Sequence, residues 1–76
     1  MNVVRRKRLS LLRDRIEELQ SLLEELKEEE RDAYDNLPES LQQSERGEAM
    51  ENAADLLDAA IDNLSDAVEN IEEAME

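Results

Sequence analysis

The side chains whose type and spacing could do chemistry are carboxylates. After Arg46 no basic residue occurs, while Glu48, Glu51, Asp55, Asp58, Asp62, Asp66, Glu69, Glu72, Glu73 and Glu76 recur at helical spacing. A rod of negative charge of this kind can imitate a nucleic-acid backbone and occupy the basic groove of a partner protein, gaining affinity and on-rate from electrostatic steering. Glu51, Asp55, Asp58, Asp62, Asp66 and Glu69 are the candidate partner-binding face. The alternative for the same row is a solvated polar surface, although ten acids against no base is more one-sided than solubility requires. A second patch, Glu24, Glu25, Glu28, Glu29, Glu30, Asp32 and Asp35, is tempered only by Lys27 and Arg31.

Other chemistries lack their residues. The 76-residue chain carries 9 basic and 22 acidic side chains, a formal charge of -13, with no His, Cys, Trp or Phe. Thiol nucleophiles, imidazole acids or bases, Cys/His zinc sites and disulfides are therefore excluded. The alternating Asp/Asn-then-Gly pattern of calcium loops is absent, and di-iron bundles use Glu-x-x-His motifs that need histidine. Neither a metal nor another cofactor is expected. Tyr34, the serines and the carboxylates show no pairing that would tune a pKa for proton transfer, so no catalytic residues and no enzyme activity are expected.

Arg5-Arg6-Lys7-Arg8 could release counterions from phosphates, yet no aromatic or amide residues interleave it for base readout. Direct nucleic-acid binding is not expected. No run of 18 apolar residues occurs, and the basic start is not followed by an apolar core with a small-residue cleavage site. The expected location is the cytoplasm, without membrane partners.

The carboxylates must be positioned by helices. Leu9, Leu12, Ile16, Leu19, Leu23 and Leu26 alternate steps of three and four, the seam of a coiled coil, and predict a helix over about 4–35. Asn36, Leu37 and Pro38 break it, because proline disfavours helical geometry in the residue before it and has no backbone donor. Ser40 with Gln43, and Ser44, are candidate N-caps, giving a loop and short turn over about 36–43 and a second helix over about 44–75. That helix carries three apolar columns at seven-residue spacing: Met50, Leu57, Leu64 and Ile71; Ala54, Ile61, Val68 and Met75; Ala53, Ala60, Ala67 and Ala74.

Three columns exceed what one helical neighbour needs. Met50, Ala53, Leu57, Ala60, Ile61, Leu64, Ala67, Val68 and Ile71 are the expected self-association residues. Chains of this size usually add a metal, a disulfide or a partner chain, and the first two lack their ligands here. The expected architecture is a single all-α domain over 1–76, an antiparallel helical hairpin that forms a homodimeric four-helix bundle. Charge agrees with antiparallel pairing: residues 1–15 carry +5 and residues 16–76 carry -18. A hairpin then sets the basic start beside Glu69, Glu72, Glu73 and Glu76.

The segment from Tyr34 to Glu48 is the least repetitive, holding the only Tyr, Pro and Gly. Tyr34, Asn36, Leu37, Pro38, Leu41 and Gly47 make a candidate tip surface, with the structural turn as the alternative. Leu37 and Leu41 are expected to close the bundle end under Tyr34, and Gly47 to pack closely against Tyr34 or the partner chain. Asn36-Leu37-Pro38-Glu39-Ser40-Leu41-Gln42 with Ser44-Glu45-Arg46-Gly47-Glu48 resembles a family of short uncharacterised acidic helical proteins of phages, prophages and mobile elements of Gram-positive bacteria. The resemblance is specific over about 15 residues, and it implies a bacterial host cytoplasm and an accessory role in element biology.

The combined expectation is a non-enzymatic acidic binding protein, a nucleic-acid mimic or anti-defence inhibitor acting on a basic, nucleic-acid-handling bacterial protein. The competing expectation is a structural or assembly coiled-coil component. Self-repulsion at -13 predicts that moderate salt or mild acid raises the melting temperature. Thermal melts across a salt series check this; a melting temperature that falls with salt would show that ion pairs dominate instead.

Overall fold

Each long helix begins at a side-chain cap. Asn2 Oδ1 accepts from the Arg5 backbone N–H at 2.9 Å and starts α1, Val3–Asp35. Ser44 Oγ accepts from the Gly47 N–H at 3.4 Å and starts α3, Glu45–Met75, whose first turn carries Glu45 and Glu48 in favourable alignment with the helix dipole. Between them Pro38 leads into a single turn, α2, Glu39–Gln42. The computed structural model describes residues 1–76 and is all-helical, with α1 and α3 packed as a long hairpin of 58 × 15 × 12 Å. These boundaries lie within a residue or two of those the periodicity predicts. Ser44 takes the expected cap, whereas Pro38 rather than Ser40 precedes the short turn.

The seam differs from the expected one. Leu9, Ile16, Leu23 and Leu37 are half-buried, but Leu12, Leu19 and Leu26 are 48%, 54% and 53% exposed. The second contact column of α1 is polar instead: Arg13, Gln20, Lys27 and Tyr34, with Lys27 buried. These side chains are amphipathic, so their stems pack along α3 while their polar ends find partners there. Arg13 faces Glu72 at 3.9 Å, Gln20 Nε2 donates to Ser65 Oγ at 2.8 Å and to the Ile61 carbonyl at 3.1 Å, and Lys27 Nζ donates to Asp58 Oδ1 at 2.9 Å. Each step of seven along α1 is matched by a step of seven back along α3, which fixes the antiparallel register.

Extending that register places Glu76 near Leu9, so Met1 to Arg8 run about two turns, roughly 12 Å, past the end of α3. The expected neutralisation of the basic tract by Glu69, Glu72, Glu73 and Glu76 therefore reduces to Arg13–Glu72. Arg5, Arg6, Lys7 and Arg8 form no ion pair and are exposed.

On α3, Ala54 is buried at 3% exposure, and all nine expected self-association residues are half-buried. Gly47 is buried against the Gln42 backbone, not against Tyr34: a Cβ there would sit 2.7 Å from Gln42 Cα and closer still to its carbonyl. Gly47→Ala is expected to destabilise the hairpin by about 1–3 kcal/mol, and Ala54→Leu by a similar amount through overpacking. Thermal unfolding followed by circular dichroism checks both; unchanged melting temperatures would mean these contacts are loose.

Candidate functional site

The antiparallel register divides the hairpin lengthwise. Positions just before the contact column on both helices share one side, and positions four after it share the other. The first side carries Leu12, Leu19 and Leu26 of α1 with Met50, Leu57, Leu64 and Ile71 of α3. The second carries Glu17, Glu24 and Arg31 with Asp55, Asp62 and Glu69. Polar and apolar faces are thus separated by the same heptad that aligns the helices.

Of the predicted acidic face, Glu51, Asp55, Asp62, Asp66 and Glu69 are exposed along α3 and form no salt bridge. Asp58 is the exception. Its Oδ1 accepts from Lys27 Nζ at 2.9 Å and its Oδ2 from Arg31 Nη2 at 3.1 Å. Lys27 also donates to Glu24 Oε1 at 2.6 Å and lies 3.9 Å from Glu28. Hydrogen bonds to Glu24 and Asp58 raise the Lys27 pKa above its ordinary 10.5, and the hydrogen bond from Lys27 lowers that of Asp58 below 3.8. Asp58 is thereby committed to holding the helices together, and the two basic residues that temper the neighbouring acidic patch are spent on it.

Averaged over its length, the hairpin is strongly negative, with the charge concentrated away from the basic residues 1–15. A net -13 along a 58 Å body is one negative charge per about 4.5 Å, near the spacing of about 3.4 Å per phosphate in a single strand of duplex DNA. No three acidic side chains converge as metal ligands.

At the tip, Gln42 is the organising residue. Its Nε2 donates to the Tyr34 and Leu37 carbonyls, both at 3.2 Å, while the Asn36 and Leu37 N–H groups bond to the Asp32 and Tyr34 carbonyls at 3.0 Å. The Leu41 and Gln42 N–H groups close on Pro38 O at 2.8 and 3.0 Å, and Ser44 Oγ donates to Leu41 O. Leu37 is half-buried, but Leu41 remains 42% exposed and does not close the end. Tyr34 borders an open cleft of about 360 Å³ with Arg31, Asp35, Glu51, Ala54 and Asp55. The Glu51 carboxylate as hydrogen-bond acceptor, then burial, holds the Tyr34 phenol above its ordinary 10.0.

Lys27, Gln20 and Gln42 are the residues that sequence reasoning missed. The signal for the first two was present in the step-of-seven column Arg13, Gln20, Lys27 and Tyr34, hidden because it is not apolar.

The linked pair sets a pH window. Asp58, lowered on folding, contributes stability that is fully present above pH 3.8 and lost as pH falls through its folded value; Lys27, raised on folding, contributes stability present below pH 10.5 and lost as pH rises through its own. Asp58→Asn is expected to lower the melting temperature at pH 7 and to flatten the acid limb below about pH 4 relative to the parent. Melts at pH 3, 5 and 7 test this, and superimposable profiles would remove Asp58 from the interface energetics. No family model matches this chain, and no curated protein or solved structure matches it either.

Proposed function

We propose that the protein is a non-enzymatic acidic binding protein whose α3 surface docks into a basic groove of a nucleic-acid-handling protein, in the manner of a nucleic-acid mimic. The observation that carries the reading is the exposed row Glu51, Asp55, Asp62, Asp66 and Glu69, free of salt bridges, on a 31-residue helix that has no cation after Arg46. A rigid rod keeps its charges at fixed intervals, so the entropic cost of aligning them with a basic groove is small. Asp58 contributes by holding α3 in place and not by contact. No helix is long and apolar enough to cross a membrane. The resemblance of the tip sequence to proteins of phages and mobile elements makes a bacterial cytoplasmic, anti-defence setting the natural one for this reading.

A second reading, a structural or assembly component, is favoured by a different observation: Leu12, Leu19 and Leu26 form an exposed apolar line on α1. In both readings the leftover apolar side is covered by self-association into a four-helix bundle.

Salt separates the two. Tagged protein is expected to capture a DNA- or RNA-binding protein from bacterial lysate, with duplex DNA competing and affinity falling at least tenfold between roughly 50 and 200 mM salt. Changing Asp55, Asp62, Asp66 and Glu69 together to Asn or Gln is expected to abolish capture while leaving helicity intact. Capture that ignores salt, DNA and these substitutions would instead establish the assembly reading.

A further inference from the structure

Two features of α1 have no partner within the hairpin: the line of half-exposed leucines and the basic tract that overruns α3. Leu12, Leu19 and Leu26 lie at equal steps of seven, so the line is symmetric about Leu19. A line symmetric about its own midpoint suits a twofold axis, on which one surface serves both copies. Leu22 extends it on its outer edge, 54% exposed, and Met50, Leu57, Leu64 and Ile71 of α3 run beside it.

Charge selects the direction in which a second copy lies on this face. Residues 24–58, the tip half, carry 13 acidic and 3 basic side chains, a net -10. The opposite end, residues 1–15 with 69–76, carries a net +1. Two copies with tips together would gather -20 at one end. Two copies with tips apart set each weakly positive end against the other's strongly negative one. Within α1 the match is closer still, since residues 1–15 carry +5 and residues 24–35 carry -5.

We infer that the leucine face of α1 binds a second copy of this chain in reversed orientation, with a twofold axis at Leu19. Leu12 of each copy then meets Leu26 of the other, and Arg5 to Arg8 of each copy lie along the stretch from about Glu30 to Ala33 of the other. The basic overhang, without an ion pair in its own hairpin, is set against the partner's residues 24–35, which carry -5. This rests on the self-association part of the reading above and is independent of the acidic row on the opposite side of the hairpin.

The chain has no cysteine, which makes single-cysteine cross-linking clean. Leu19→Cys is expected to form a covalent dimer with itself under mild oxidation. Leu12→Cys and Leu26→Cys are expected to cross-link readily with each other when mixed and poorly with themselves. Sedimentation velocity of the uncysteinated protein is expected to give a dimer at micromolar concentration. Changing Arg5, Arg6, Lys7 and Arg8 together to Gln is expected to raise the dimer dissociation constant at least tenfold with unchanged helicity.

A dimer in which Leu19→Cys does not cross-link to itself, or Leu12→Cys does so as fast as the mixed pair, overturns the reversed arrangement. A basic-tract variant that dimerises as tightly as the parent overturns the electrostatic selection. A monomer at all concentrations overturns the inference and the self-association reading together, while salt-sensitive capture by the α3 acids would stand or fall on its own.

Discussion

The buried side chain of Lys27, with its ammonium held between Glu24 and Asp58, is the constraint on which the hairpin depends. A cation at 7% exposure between two helices is tolerable only where its charge is met. Glu24 meets it from its own helix and Asp58 from across the interface. Shifting α3 by one residue would remove Asp58 and leave a buried charge without its cross-helix partner. An apolar column would slide with less penalty, because one leucine or alanine contact resembles the next. Polar contacts at Gln20–Ser65 and Arg13–Glu72 repeat the condition one and two heptads further on.

Placing polar residues in the contact column has a consequence for the rest of the surface. Leu12, Leu19 and Leu26 are turned to one flank while Leu9, Ile16 and Leu23 stay in the contact, and Asp55, Asp62 and Glu69 lie on the other flank. The hairpin is therefore amphipathic across its width, with an apolar side and an acidic side. Only Ala54, Gly47 and Lys27 are buried, so the single hairpin has little core of its own. Its regularity is local: backbone bonds within helices, a side-chain cap at each long-helix start, and a tip held by Gln42.

The tip shows how a sparse segment can be specified by few atoms. Gly47 is required where α3 starts under the Gln42 backbone, and the Gln42 amide donates to the Leu37 carbonyl and adds a second donor to the Tyr34 carbonyl as α1 ends. The Leu37 carbonyl has no backbone donor just past the helix C-terminus, so the Gln42 amide is what meets it. The distinctiveness of this sequence is therefore accounted for by turn geometry as well as by any contact it makes.

By itself the sequence determined the elements: two long helices from their heptads, the break at Asn36 to Pro38, the Ser44 cap and the acid row beyond Arg46. Each of these is set by neighbours within about one turn, so periodicity and capping chemistry suffice to read them. Tertiary structure decided which columns touch. Burial of an amphipathic side chain depends on whether its polar end finds a partner on the other helix. That is why Lys27 went inside while Leu12, Leu19 and Leu26 stayed out. The same nonlocal fact moved Asp58 from the acidic face into the interface and left Arg5 to Arg8 beyond the reach of the α3 carboxylates. Composition assigned these charges their sign, but only the register between the helices assigned them their partners.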